Sequence, residues 1–210
     1  MIKFLAVFFM LIDHIGHFLY PDMILLRVIG RLALPLFAYS FAVGLSKSEN
    51  LDRYFQRIFT LAFFVHVSLW FLGLYIPSIL ATFLLAGFAI RSCNRFFIIL
   101  ALIIAHSLPG FFDYGAYGIA LIYIMYLHCN IWKTYKYRNS FLLLAAHFFL
   151  PLVAGMAFPY VPWYQLFSFS AISLIIFFAD VSPFLLPRWF YYHFYYFHLI
   201  ILGLLYNYKF

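Results

Sequence analysis

Charge is what this sequence lacks most. Only 9% of its 210 residues are charged, and just six of them are acidic, where a soluble domain carries about a quarter. Hydrophobic residues make up 68%, so no stretch is polar enough to fold as a water-soluble domain. There are two cysteines, Cys93 and Cys129, too few for a disulfide scaffold, and both are expected as reduced thiols at one membrane edge. No phosphate-cradling glycine loop, serine nucleophile elbow or His-Glu-x-x-His pattern occurs, and acidic ligands are scarce, so no metal is expected. Linkers, low-complexity tracts and repeats are missing too, which leaves one domain over 1–210. The alternating segments of a transmembrane β-barrel are absent. The remaining class is an all-α, polytopic transmembrane helical bundle.

Breaks in hydropathy mark roughly nine spans, within a range of about eight to ten: 3–20, 24–45, 55–75, 78–91, 96–109, 114–130, 140–157, 164–180 and 189–207. The fourth and fifth are short. The connections carry breakers such as Tyr20-Pro21-Asp22, Pro77, Pro109-Gly110, Pro159 to Pro162 and Ser182-Pro183. The first run starts at Ile2, is interrupted by Asp13 and His14, and has no small-residue cleavage site; it reads as a span, not a cleaved signal. Thirty Phe and eighteen Tyr supply lipid-facing bulk and interfacial belts.

The net charge of +7 reports topology, not nucleic-acid binding. With Lys3 and the N-terminus in the cytoplasm, Lys47, Arg53, Arg57, Arg91, Arg95, Lys133, Lys136, Arg138 and Arg188 share its side, while Arg27 and Lys209 fall opposite. The expected location is the bacterial cytoplasmic (inner) membrane, multi-pass, with the C-terminus outside. The inner basic residues Arg53, Arg57, Arg91 and Arg95 satisfy the positive-inside rule and also suit an anionic cytoplasmic cofactor.

Against this apolar background a few residues are expensive. Asp13-His14-Ile15-Gly16-His17 interrupts the first span. An acid and two imidazoles at bilayer depth cost several kcal/mol unless partnered, which makes them a functional-site hypothesis. Helical spacing puts Asp13, His14 and His17 on one side of one helix, suiting a carboxylate that orients an imidazole, or a proton relay. The second span holds Arg31, with Arg27 a turn above it, between Gly30, which admits a close neighbour, and Pro35, which should kink the helix near Arg31. Arg31 could pair with Asp13, bind substrate, or do both. In the last span Tyr191, Tyr195 and His198 share a face. His66 and His106 are assigned the same outer depth, so that polar groups from five spans would share a cavity opening outward; His66, His128 and His147 are otherwise read as structural.

Lys3, Ala6, Met10 and Asp13-His14, then Gly30-Arg31 with Pro35-Leu36-Phe37-Ala38, then Tyr114-Gly115 with Tyr117-Gly118-Ile119, then Phe194-Tyr195 through His198-Leu199 follow one another along the chain. In that order they resemble the TraX family, over nearly the whole length. The family is named after the conjugation protein that acetylates the N-terminal amine of F pilin. The resemblance therefore implies an integral membrane acetyltransferase that uses acetyl-CoA and meets a pilin or another envelope acceptor. It implies catalytic roles for Asp13, His14, Arg31 and His198; His17, Arg27 and Tyr195 are possible supports read from their positions in this chain and not from the family pattern. Acetyl transfer needs a base for the nucleophile's proton and donors for the oxyanion. His14 oriented by Asp13 suits the first task and Arg31 the second; His198 could share the base's role or carry the acetyl group. Two other classes use the same residues differently. A proton-coupled transporter also keeps intramembrane Asp, His and Arg but should show repeated halves. A non-catalytic pilus or conjugation assembly factor would tolerate loss of all four.

Overall fold

The computed structural model describes residues 1–108, 110–130, 163–178 and 187–209. Among them the chain is helical, with one isolated bridge between Ser78 and Phe112. The helices are α1 (Ile2–Phe18), α2 (Ile24–Gly30), α3 (Ala33–Lys47), α4 (Leu51–Phe71), α5 (Ile79–Arg91), α6 (Arg95–Ser107), α7 (Gly115–Asn130), a 3-10 segment (Trp163–Ser170), α8 (Ala171–Phe178) and α9 (Arg188–Lys209). Their positions follow the hydropathy breaks closely. The expected span 140–157, with His147, and the basic group Lys133, Lys136 and Arg138 lie outside the described residues.

The second expected span is the stretch Ile24–Lys47, whose 24 residues are long and apolar enough to cross a bilayer. It is interrupted at Arg31-Leu32, where the Arg31 amide is shared between the Arg27 (3.1 Å) and Val28 (3.3 Å) carbonyls and the Leu32 amide turns to an i→i−3 bond on Ile29 (3.3 Å). Pro35, in the first turn of α3, has no N–H for the Arg31 carbonyl, so the break falls where its chemistry requires. The short stretches expected as the fourth and fifth spans fall on the 13-residue apolar helices α5 and α6, each about 20 Å long and so shorter than a hydrocarbon core of about 30 Å. Ser78 caps α5 at Ala81 N, Asn94 caps α6 at Phe96 N, and Cys93 joins them in the left-handed region (φ 54°). The expected span 164–180 is not one regular α-helix: it opens as the 3-10 segment before becoming α8.

The chain forms two compact units. The first comprises Met1–Phe37, Phe63–Tyr75 and Phe167–Phe210. Here α1 packs against α2 in a hairpin and against α9. Pro21 disfavours helix at Tyr20 and so sharpens the hairpin's turn. Val7, Met10 and Ala33 form a buried apolar cluster, flanked by Phe9, Phe37, Tyr191, Phe194 and Tyr195. Ser68 and Tyr196 share a hydrogen bond (2.9 Å), and Asn207 donates to the Leu72 carbonyl (2.9 Å), which ties α4's last turns to α9.

The second unit comprises Ala38–Ala62 and Ile76–Leu166. Its centre is α7, where Tyr117, Ile119, Leu121, Ile122 and Met125 are fully buried, as expected of a helix that is apolar all round. Thr82 donates to the carbonyls of Ser78 (3.2 Å) and Asp113 (2.8 Å), which pins the turn before α7 to α5.

Candidate polar site on the α1–α2 hairpin

The first unit brings together Asp13, His14, Arg27, Arg31 and His198, from α1, from α2 and the turn that ends it, and from α9. Two glycines set the approach. A Cβ on Gly30 would collide with the Asp13 side chain and lie 2.5 Å from its Cα; one on Gly16 would lie 2.8 Å from Leu26 Cβ and 3.3 Å from Arg27 Cδ. Each helix thus offers a glycine to the other's functional residue. The hairpin register seats Asp13 between the two guanidiniums.

Arg27 Nη1 donates to Asp13 Oδ2 (2.9 Å) and to the Asp13 carbonyl (3.0 Å). Arg31 Nη2 stands 3.6 Å from Asp13 Oδ1. The pairing of Arg31 with Asp13, one of the sequence alternatives, is therefore present, but Arg27 makes the closer contact. The spacing within each span did not disclose this, because the register between two helices decides it.

The carboxylate is directed at these arginines and not at His14, which corrects the expectation that Asp13 orients that ring. His198 meets it instead: His14 Nδ1 and His198 Nε2 are 2.8 Å apart. His198 Nδ1 lies 2.7 Å from the Phe194 carbonyl one turn back. The two imidazole planes are nearly parallel (13°, centroids 5.1 Å) and the rings meet edge to edge through the Nδ1–Nε2 contact, while the Phe194 ring lies nearly parallel to His198 at 5.1 Å. Tyr195 stands edge-on to His198 at 5.7 Å. His17 is exposed and packs edge-on against Phe18, so it stands off the centre of the group. His106 belongs to the other unit, and the groups brought together here come from three helical elements, fewer than the five spans expected.

The expected cofactor-binding arginines all lie in the second unit, at one end of it. Arg53 and Arg57 occupy the start of α4, Arg91 the end of α5 and Arg95 the start of α6; all four are exposed. Arg91 donates to Asp52, which joins the start of α4 to the end of α5. That hydrogen bond and the guanidinium's charge hold the Asp52 carboxyl below its ordinary range. Asn130 donates to Ser46 (2.7 Å), drawing the ends of α3 and α7 to the same place. Arg91 is thus already engaged by a carboxylate. Of the two cysteines, Cys93 is exposed beside this basic end and Cys129 is buried, and both are free thiols. Among the described residues no three His, Cys, Asp or Glu side chains group as metal ligands.

Comparison with known proteins places the chain. A 39-residue stretch is 51% identical to an uncharacterized protein of Rickettsia prowazekii (strain Madrid E), covering 19% of this chain and 16% of that relative's length. No solved structure matches the chain. The family model described as TraX protein matches residues 1–206, essentially the whole length. The chain belongs to the TraX family.

Proposed function

We propose that this protein is a membrane-embedded acetyltransferase of the bacterial inner membrane. It moves an acetyl group from cytoplasmic acetyl-CoA to an amine or hydroxyl on an envelope acceptor, foremost the N-terminus of a pilin. The observation that carries the reading is the convergence, in an apolar chain, of a bonded histidine pair with a carboxylate held by two arginines. Such a group is costly in an apolar surround and has a use in acid–base chemistry.

Acetyl-CoA supplies, when bound, an acyl group activated as a thioester. The exposed guanidiniums of Arg53, Arg57 and Arg95 have the chemistry to hold its phosphates, while Arg91 would first have to be shared with Asp52. His14 takes the acceptor's proton. Arg31, 5% exposed, stabilises the negative charge that develops during transfer. Asp13 keeps both guanidiniums in place, and Arg27 anchors Asp13 through two bonds from one nitrogen. Asp13 and Arg27 are accordingly positioning residues.

A transporter would use the same ionisable groups to carry a proton, and an assembly factor would not use them at all. The deciding experiment is incubation of proteoliposomes with radiolabelled acetyl-CoA and a synthetic pilin N-terminal peptide. Label should appear in the peptide with the wild type and not with His14→Gln. Absence of transfer together with a proton-driven flux would overturn the proposal.

A further inference from the structure

The hydrogen-bond chain at the histidine pair fixes where its protons are. A carbonyl oxygen only accepts, so His198 Nδ1 must carry the hydrogen it directs at the Phe194 carbonyl. In neutral His198 the lone pair is then on Nε2, and the contact at 2.8 Å requires His14 Nδ1 to donate to it. Neutral His14 consequently keeps its own lone pair on Nε2, the one ring nitrogen of the pair to which none of the described residues is bonded. The same geometry accommodates one further proton. If His198 holds it on Nε2, that N–H donates back to His14 Nδ1, and His14 Nε2 becomes the N–H. Nothing needs to move but the hydrogens.

The geometry points to a two-histidine proton relay, in which a proton taken up at His14 Nε2 is stored as an imidazolium on His198, locked in orientation by the Phe194 carbonyl. The use of the relay in acetyl transfer rests on the function proposed above; the tautomer assignment does not. In that use the acceptor's X–H bond breaks and His14 Nε2–H forms, while His14 Nδ1–H breaks and His198 Nε2–H forms. The acceptor's electron pair makes the new bond to the acyl carbon, and the carbon–sulfur pair leaves with the thiolate. The relay then runs backwards and the thiolate takes the proton from His14 Nε2, so both rings end as they began. Two consequences follow. His198, with both ring nitrogens engaged, is a proton store and not the acetyl carrier considered from the sequence. Phe194, an apolar residue, contributes through its backbone carbonyl.

Several groups around the pair bear on its charge. They are Asp13 with Arg27 and Arg31 on the α1–α2 side, His17 one turn along α1, and Tyr195 edge-on from α9. His14 also meets Phe18 edge-on.

The test needs no substrate. Full-length protein labelled with 15N-histidine in lipid nanodiscs is examined by long-range proton–nitrogen correlation, which distinguishes the tautomers. Of the eight histidines, His193 is an internal standard for the Nδ1–H form, since its Nδ1 also faces a carbonyl (Trp189, 2.7 Å). His14→Gln and His198→Gln assign the other two signals by loss. At neutral pH both rings should be Nδ1–H with unprotonated Nε2. On acidification the first proton should make His198 doubly protonated while His14 switches its hydrogen from Nδ1 to Nε2. His198→Phe, which keeps an aromatic ring against Phe194 but offers no acceptor, should release His14 to the Nε2–H form. Either ring found as Nε2–H at neutral pH, or a first proton that stays on His14, overturns the relay, and the wild-type titration reads this even if a variant fails to fold. A relay seen by resonance but no labelled peptide would instead refute the acetyltransferase reading alone.

Discussion

Removing the Asp13 charge is the most informative perturbation of this molecule. Asp13→Asn keeps the side chain's size but leaves Arg27 and Arg31 facing each other's charge across a neutral amide. The side chains of the closer pair, Asp13 and Arg27, are only 12% and 18% exposed, so water replaces little of what is lost. Breaking a buried pair from one side costs about 3–5 kcal/mol, and the residual exposure argues for about 3 kcal/mol. Arg27→Gln should cost less, about 2 kcal/mol, because it removes one charged donor and leaves Asp13 facing Arg31 at 3.6 Å. The double variant should cost about 3 kcal/mol instead of the additive sum of about 5, since once Asp13 is neutral the Arg27 charge has lost its reason to be there. Equilibrium unfolding in mixed detergent micelles, followed by circular dichroism, measures all four corners of the cycle. Costs that add within about 0.5 kcal/mol would refute the coupling and with it the hairpin register drawn here.

Other expectations follow from the same contacts. Gly30→Ala should destabilise by about 2 kcal/mol even after the helix-propensity gain of about 1 kcal/mol, because the added methyl meets the Asp13 backbone; Gly16→Ala, whose methyl meets the backbone-fixed Leu26 Cβ at 2.8 Å, should destabilise by less, about 1 kcal/mol, in the same assay. Thr82→Val should cost about 1–3 kcal/mol by leaving the Asp113 carbonyl without its hydroxyl donor. Asp52→Asn should leave the thermal midpoint at high salt unchanged. Since its carboxyl is held below the usual range, whatever the Arg91 pair adds is present at neutral pH and lost as the pH falls through that lowered value, as a thermal midpoint measured against pH will show. Replacing Arg53, Arg57 and Arg95 together by Gln should raise KM for acetyl-CoA at least tenfold with kcat little changed, and added salt should raise the wild-type KM in the same direction.

Much of the fold is legible in the sequence because helix ends in an apolar chain are set locally. Pro21 and Pro35 mark boundaries by their own chemistry, and Ser78 and Asn94 cap the helices that follow them. The membership of the site is legible for a different reason: in 68% apolar sequence, any buried ionisable residue is conspicuous. What spacing along one helix does not contain is how it registers against another. Asp13 and Arg27 meet because Gly16 and Gly30 let two backbones close up. His14 and His198 meet across 184 positions of sequence because α9 packs on α1. Hence the wrong partner for His14 and the underrated Arg27. The 3-10 start at Trp163–Ser170 was equally hidden, since hydropathy does not distinguish one helix type from another.

The central claim is that the polar group on the α1–α2 hairpin performs acetyl transfer, and the most direct measurement is transfer of label from acetyl-CoA to a pilin N-terminal peptide by purified protein in proteoliposomes. Incorporation is expected from the wild type and from His17→Gln, with a loss of about a hundredfold or more in His14→Gln. Undiminished incorporation in His14→Gln, or none in the wild type, would contradict that claim.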